Sequence, residues 1–239
     1  MACNDKVGSK FSKGNSMIKA VIFDLFGTLT KGFAYPELDI IKEYNLNVDE
    51  LAVEKFTCGT KFEDVGYNYV GKIIHSIRFK SMGSYLSSII NGLNLEDTKD
   101  TREKIVSIFE KDVKKERIAE SVPKVLIDLK SRGIKLAIVS NIPYPLYDLP
   151  KKHDFKKYFD AVVYSYEEGM LKPNPKMFEF ALSRLGVKKD EVIMVGDNFK
   201  ADIQGAENVG IKGILLDRNN KHPDYRNRIT NLTEIKDLL

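Results

Sequence analysis

Four short stretches of this chain carry reactive side chains, three of them directly after runs of branched apolar residues and the third in order lying between two such runs. The first is Asp24-Leu25-Phe26-Gly27-Thr28-Leu29-Thr30, the second Ser140-Asn141, and the third Lys172 within Gly169-Met170-Leu171-Lys172-Pro173-Asn174-Pro175. The fourth is Gly196-Asp197-Asn198, with Asp202 about one helical turn on. A carboxylate such as Asp24 can attack phosphorus and form an aspartyl-phosphate, which divides a hard displacement into two easier ones. Attack by an anion on an anion needs neutralisation, and Mg²⁺ held by one or two carboxylates, a backbone oxygen and waters meets that need. Asp24, the Phe26 carbonyl and Asp197 are the candidate ligands. Lys172 would put a positive charge beside nucleophile and phosphoryl group, while Thr28, Ser140 and the backbone amides around Phe26 and Gly27 would donate to the phosphoryl oxygens. Asp202 is expected to orient Lys172 or a metal-bound water, with Asn198 beside it in support. Asn141 is a candidate contact to the phosphoryl or leaving group.

Each residue alone has a plainer reading. A strand-end Asp is usually a cap or turn residue, Ser140-Asn141 before Pro143 could be an ordinary turn, and a lone Lys is usually solvated. The convergence of four such places reverses that balance. His75, His153 and His222 show no ligand or triad spacing and read as structural or surface residues.

These groups need elements that bring them together. Ile18 to Asp24 is a short apolar run of the kind that forms a strand buried on both faces of a parallel sheet. Ile134 to Ser140, Glu191 to Asp197 and Ile211 to Asp217 repeat it, with a weaker version at Ala161 to Tyr164. Between them, Val122, Val125, Leu126 and Leu129 form a helical stripe that stops at Gly133, and Phe178, Ala181, Leu182 and Leu185 one that stops at Gly186. Strands alternating with helices predict an α/β, doubly wound, parallel-sheet core. In such a sheet ligands sit beyond the carboxyl ends of the strands, where the four stretches fall.

From about Phe33 to Glu120 no buried strand is visible, and apolar residues recur at helical spacing, as in Ile73, Ile77 and Tyr85, Leu86, Ile89, Ile90. So long a stretch predicts an all-helical cap domain over 33–120, inserted into a core made of 17–32 and 121–239. Residues 1–16 are small and polar and read as a flexible N-terminal tail.

The 239 residues are 43% hydrophobic and 30% charged, enough for one good core, which excludes disordered and fibrous classes. No apolar run reaches the roughly 18 residues of a membrane span. Cys3 and Cys58 stand far apart without matching histidines, which predicts no disulfide framework or zinc site and a reducing, cytoplasmic setting. A net charge of +4 is too mild for non-specific nucleic-acid binding. The expected partner is a small phosphorylated metabolite, the chain acting as monomer or homodimer without nucleic acid or membrane.

The order Asp-led strand end, Ser strand end, Lys, acidic strand end resembles the haloacid dehalogenase superfamily over nearly the whole chain from Ile18. The resemblance implies a Rossmann-like core with strand order five-four-one-two-three, a mobile helical cap after the first strand, and phosphatase chemistry. There is one departure. Phosphatases of that superfamily commonly carry a second Asp two residues after the nucleophile as general acid and base, and here that position is Phe26. A bulky aromatic at this place is shared with the dehalogenase branch, so a 2-haloacid dehalogenase-type hydrolase is an alternative, as is a non-catalytic metal-binding regulatory module. The carboxylates of the fourth motif beside Asp24 favour a cation, and with it phosphate chemistry. Glu167, Glu168 or a cap carboxylate could stand in for the missing acid. Lys31, Lys72, Arg78 and Lys80 could meet a second anionic group on the substrate.

Overall fold

The computed structural model describes residues 17–31, 36–44, 79–142, 154 and 156–239. The sequence expectations for residues 1–16, Cys3, Cys58, Lys72, His75, Arg78 and His153 fall outside the described residues. The core is a six-stranded sheet in which every neighbouring pair is parallel. Its strands are β1 Ala20–Phe23, β4 Lys135–Ser140, β5 Ala161–Tyr164, β6 Val192–Gly196, β7 Lys212–Leu216 and β8 Arg228–Ile229, in the spatial order β5-β4-β1-β6-β7-β8. The first five follow the expected order, with β1 at the centre between β4 and β6. The edge strand β8 is an addition that a two-residue segment, too short for any periodicity, does not announce.

Both faces of the sheet are covered, which is why its strands read as unbroken apolar runs. Val21 and Phe23 of β1 join Leu136, Ile138, Ile193 and Val195 on one face, against Val125, Leu126 and Leu129 of α4, the helix Val122–Ser131. Ala20 and Ile22 face the other way with Ala137, Val139, Val192 and Met194. There they meet Met177, Phe178, Ala181 and Leu185 of α6, the helix Pro175–Leu185. Each fully buried aliphatic or aromatic side chain contributes roughly 1.5–3 kcal/mol.

The long stretch after β1 is helical where described. It contains α1 Pro36–Glu43, α2 Met82–Gly92 and α3 Lys99–Lys115. Tyr85, Leu86, Ile89 and Ile90 of α2 pack with Ile105, Ile108 and Phe109 of α3, and this apolar cluster runs on into the α4 face of the sheet. Arg102 fastens α2 to α3, pairing with Asp97 at 2.6 Å and donating to Ser87 Oγ at 2.6 Å. The stretch does contain a strand that the sequence reading lacks. Thr30–Lys31, β2, pairs antiparallel with Arg117–Ile118, β3, so that chain leaving the core and chain returning to it lie side by side. Among the described residues no helix is long and apolar enough to cross a membrane.

Candidate active site

β1, β4 and β6 are adjacent and parallel, so the residues that follow them leave the sheet at one edge. Asp24 is fixed to this edge by its own amide, which donates to the Val195 carbonyl at 2.9 Å. The chain then turns sharply. The amides of Leu29 and Thr30 both donate to the Leu25 carbonyl, at 2.9 and 3.1 Å, and the Gly27 amide donates to Thr30 Oγ1 at 3.3 Å. Gly27 sits at φ 76°, a conformation that glycine adopts without a steric penalty. Asp24, Gly27 and Thr28 are buried in this turn, and the half-buried Phe26 ring packs against the sheet-face cluster.

Lys172 is the hub of the site. Its buried ammonium donates to Asp24 Oδ1, Asp202 Oδ1 and the Val139 carbonyl, each at 2.7 Å, which accounts for all three of its protons. Burial alone would lower its pKa, but the charges of Asp202 and Asp24 outweigh burial and raise it, so Lys172 is a cation. Ser140 Oγ donates to the same Asp24 oxygen at 3.4 Å.

The Lys172 backbone is placed by Asn141. The Asn141 side-chain oxygen accepts from the Lys172 amide at 2.8 Å and its nitrogen donates to the Lys172 carbonyl at 3.2 Å. Both ends of this amide therefore hold the lysine loop, a role that the sequence reading did not assign to it. Just beyond, Asn174 caps α6 by accepting from the Lys176 amide at 3.0 Å, and Pro175 takes the first helical position.

Asp202 arrives from a π-helical turn, Phe199–Gln204, that follows β6 and runs into α7, Gly205–Asn208. Asn198 opens this turn, its side chain accepting from the Ala201 amide at 2.9 Å, and its own amide donates to Asp202 Oδ2 at 3.0 Å. One Asp202 oxygen thus holds Lys172 and the other holds the turn. The side chain lies flat on Gly196: a Cβ there would collide with Asp202 Cβ, Cγ and Oδ2.

Asp24, Asp197 and Asp202 offer carboxylate oxygens that all lie within 4.8 Å of one another. Asp197 is half-buried and accepts from Thr28 Oγ1 at 3.4 Å. Burial, then the charges of Asp24 and Asp202, push its pKa up to about 8. Asp202 is pushed up to about 6, by burial first; Lys172 pulls it back and Asp24 adds to the rise. A cluster of hard oxygen donors carrying more negative charge than one ammonium balances fits Mg²⁺ chemically.

Of the ten candidate residues, Asp24, Ser140, Lys172 and Asp202 form one hydrogen-bonded group, the Thr28–Asp197 pair lies against it through the clustered carboxylates, and Asn141 and Asn198 support it from behind. Phe26 and Gly27 belong to the turn. The other proposed participants have partners of their own. Glu168 pairs with Arg184, Glu167 accepts from Tyr166 at 3.2 Å, and Lys31 pairs with Glu120 at 3.9 Å. His222 stacks on Phe199 with ring centroids 4.7 Å apart.

Two participants escaped the sequence reading. Ser165 Oγ bridges the Ile142 amide and carbonyl, at 3.0 and 3.1 Å, and so pins the chain just past Asn141. Arg218 reaches back from beyond β7 to the carbonyls of Gly27 and Thr28. It stands two residues after the end of β7, the strand beside β6.

Comparison with known proteins finds relatives of two kinds. Two proteins named glyceraldehyde 3-phosphate phosphatase are similar. The one from Methanothermobacter thermautotrophicus is 44% identical over 92 residues, a local match covering 38% of this chain and 41% of that protein. The one from Methanocaldococcus jannaschii is 26% identical over 238 residues, covering 93% and 97%. (S)-2-haloacid dehalogenase 4A from Burkholderia cepacia is 25% identical over 232 residues, covering 93% and 95%. The crystal structure of a HAD phosphatase from Thermococcus onnurineus shares the fold at a TM-score of 0.60, with 24% identity over 92% of this chain and 97% of that one. A family model for haloacid dehalogenase-like hydrolases matches residues 18–210, which takes in all four motifs; the chain belongs to that family.

Proposed function

We propose that this hydrolase is a Mg²⁺-dependent phosphatase of small phosphorylated metabolites that works through an aspartyl-phosphate on Asp24. The observation that carries this reading is the cluster of buried Asp24 and Asp202 and half-buried Asp197 around a single ammonium, with Asp197 outside that ammonium's ion pairs. Such a cluster calls for a cation, and displacement of a halide at carbon has no need of one. Asp24, the Phe26 carbonyl and Asp197 would hold Mg²⁺, which when bound would neutralise the repulsion between the attacking carboxylate and the phosphoryl group.

The chain's own groups do the rest. Lys172 and Ser140 hold Asp24 Oδ1 and so aim the carboxylate, whose Oδ2 attacks phosphorus as the bond from phosphorus to the leaving oxygen breaks. The positive charge of Lys172 stabilises the charge on the phosphoryl oxygens, while the Ser140 and Thr28 hydroxyls hold the Asp24 and Asp197 carboxylates in place. Water then attacks the phosphorus of the aspartyl-phosphate, releasing inorganic phosphate and restoring the Asp24 carboxylate. Phe26 has no proton to give the leaving oxygen, and Glu168 is tied to Arg184, so leaving groups that depart unaided are favoured. The helices α1–α3 are read as a cap that admits small substrates, and the cytosol as the setting.

The names of two similar proteins support phosphate ester chemistry, and that of the dehalogenase supports the second reading, to which Phe26 also points. The deciding experiment measures phosphate release from aryl, acyl and alkyl phosphates with and without Mg²⁺. Turnover should require the metal, rank acyl and aryl above alkyl, and fall at least about 10³-fold in Asp24→Asn. Chloride release from a 2-haloacid without metal would establish the dehalogenase instead. Silence on both, with Mg²⁺ still raising Tm, would leave a non-catalytic metal-binding module.

A further inference from the structure

We propose that Arg218 is a positioning residue of this site, clamping the Gly27–Thr28 segment so that the turn carrying Asp24 and Thr28 keeps one shape. The inference rests on the reading of Asp24 as the nucleophile. Arg218 is about 190 residues from the turn in sequence, yet its two terminal nitrogens donate to successive carbonyls, that of Gly27 and, at 3.0 Å, that of Thr28. Within the turn, the Leu25 carbonyl takes the amides of Leu29 and Thr30, and the Leu29 carbonyl accepts from the Ala119 amide at 3.0 Å. The Gly27 and Thr28 carbonyls are thus held by Arg218, from outside the turn. Gly27 adds no side chain to stiffen this segment, and Thr28 Oγ1 must point at Asp197. A flat, two-pronged guanidinium is suited to hold two neighbouring carbonyls at once, whereas an ammonium holds them one at a time.

The clamp is anchored at its own base. The preceding residue, Asp217, is buried, and its carboxylate accepts from the amides of Lys221 and His222 at 2.8 and 2.9 Å, with Arg228 at 3.7 Å. Its amide donates to the Ile229 carbonyl of β8 at 2.8 Å. The short edge strand thereby fixes the origin of Arg218, and the arginine passes that rigidity to the turn.

The test compares Arg218→Ala with the parent by two readouts. The first is amide hydrogen exchange of the peptide spanning Asp24 to Thr30, which needs no substrate. The second is kcat and KM for phosphate release from the best substrate of the panel. In Arg218→Ala, exchange should quicken at least about tenfold, with kcat about 10- to 100-fold lower and KM within about twofold. Arg218→Lys, which keeps charge and stem, should restore Tm but only part of kcat; it also serves if the alanine variant does not fold. Unchanged exchange overturns the clamp. Faster exchange with kcat preserved, or a rise in KM alone, overturns the positioning role. If the parent releases no phosphate from any substrate, the phosphatase reading fails by that fact and the exchange measurement still decides whether Arg218 holds the turn.

Discussion

Three carboxylates crowd around one buried ammonium, and the repulsion among the carboxylates has a measurable signature. Asp197, pushed up to about 8, and Asp202, pushed up to about 6, hold protons more tightly in the folded chain than in the unfolded one, where an Asp titrates near 3.8. The folded state therefore binds more protons between about pH 4 and 8, and stability must fall as pH rises through that window. Tm of the metal-free protein should decline from about pH 5 to 8, and Asp197→Asn should flatten the decline. Mg²⁺ should raise Tm more at pH 8 than at pH 6, because at the lower pH it competes with a proton on Asp197. A second prediction concerns Gly196. Alanine there would drive into Asp202 and shift the partner of Lys172, so Gly196→Ala should cost about 1–3 kcal/mol in denaturant unfolding and depress kcat. Asp24, Lys172 and Asp197 were legible in the sequence because they fall in an ordered set of motifs, the two carboxylates each closing an apolar run and the lysine lying between such runs. Arg218 and Ser165 were not, because a hydrogen bond to a backbone carbonyl or amide far along the chain leaves no pattern of its own.

Elements position these residues with unequal visibility. The central strands and α4 and α6 were readable from unbroken apolar runs and 3.6-residue stripes. The pairs Thr30–Lys31 with Arg117–Ile118, and the edge strand at Arg228, are two residues long, so pairing partners define them rather than any periodicity. The π-helical turn after β6 is equally hidden. It widens one turn of helix and lets Asp202 fold back over Gly196, an irregularity of the kind found at functional sites. The loop between α5, Ser165–Glu168, and α6 depends on Asn141. Asn141→Ala should leave Tm within a few degrees yet lower kcat about tenfold or more, since Lys172 keeps its charge but loses its fixed approach to Asp24. Circular dichroism melting and steady-state kinetics check the two halves of that expectation.

At the scale of the molecule, the sheet is held from both sides, and the α6 side tolerates little change. Phe178 is fully buried there, and its ring lies about where a Cβ on Gly205 would fall, so helix and π turn are closely fitted. Phe178→Ala should destabilise by about 3–5 kcal/mol in denaturant unfolding. The opposite face carries its apolar packing on into α2 and α3, so the helical insertion is joined to the core by side chains as well as by its two connecting strands. Those connecting strands have a consequence for how such a protein can change over time. Chain departs from the core at Lys31 and comes back at Arg117, directly opposite each other, so the gap to be closed stays the same whatever is inserted between them. An insertion of another length or shape could be exchanged there without disturbing the sheet or the carboxylate cluster. If α1–α3 are the substrate-admitting cap proposed above, substrate preference can then drift while the reaction itself is inherited unaltered.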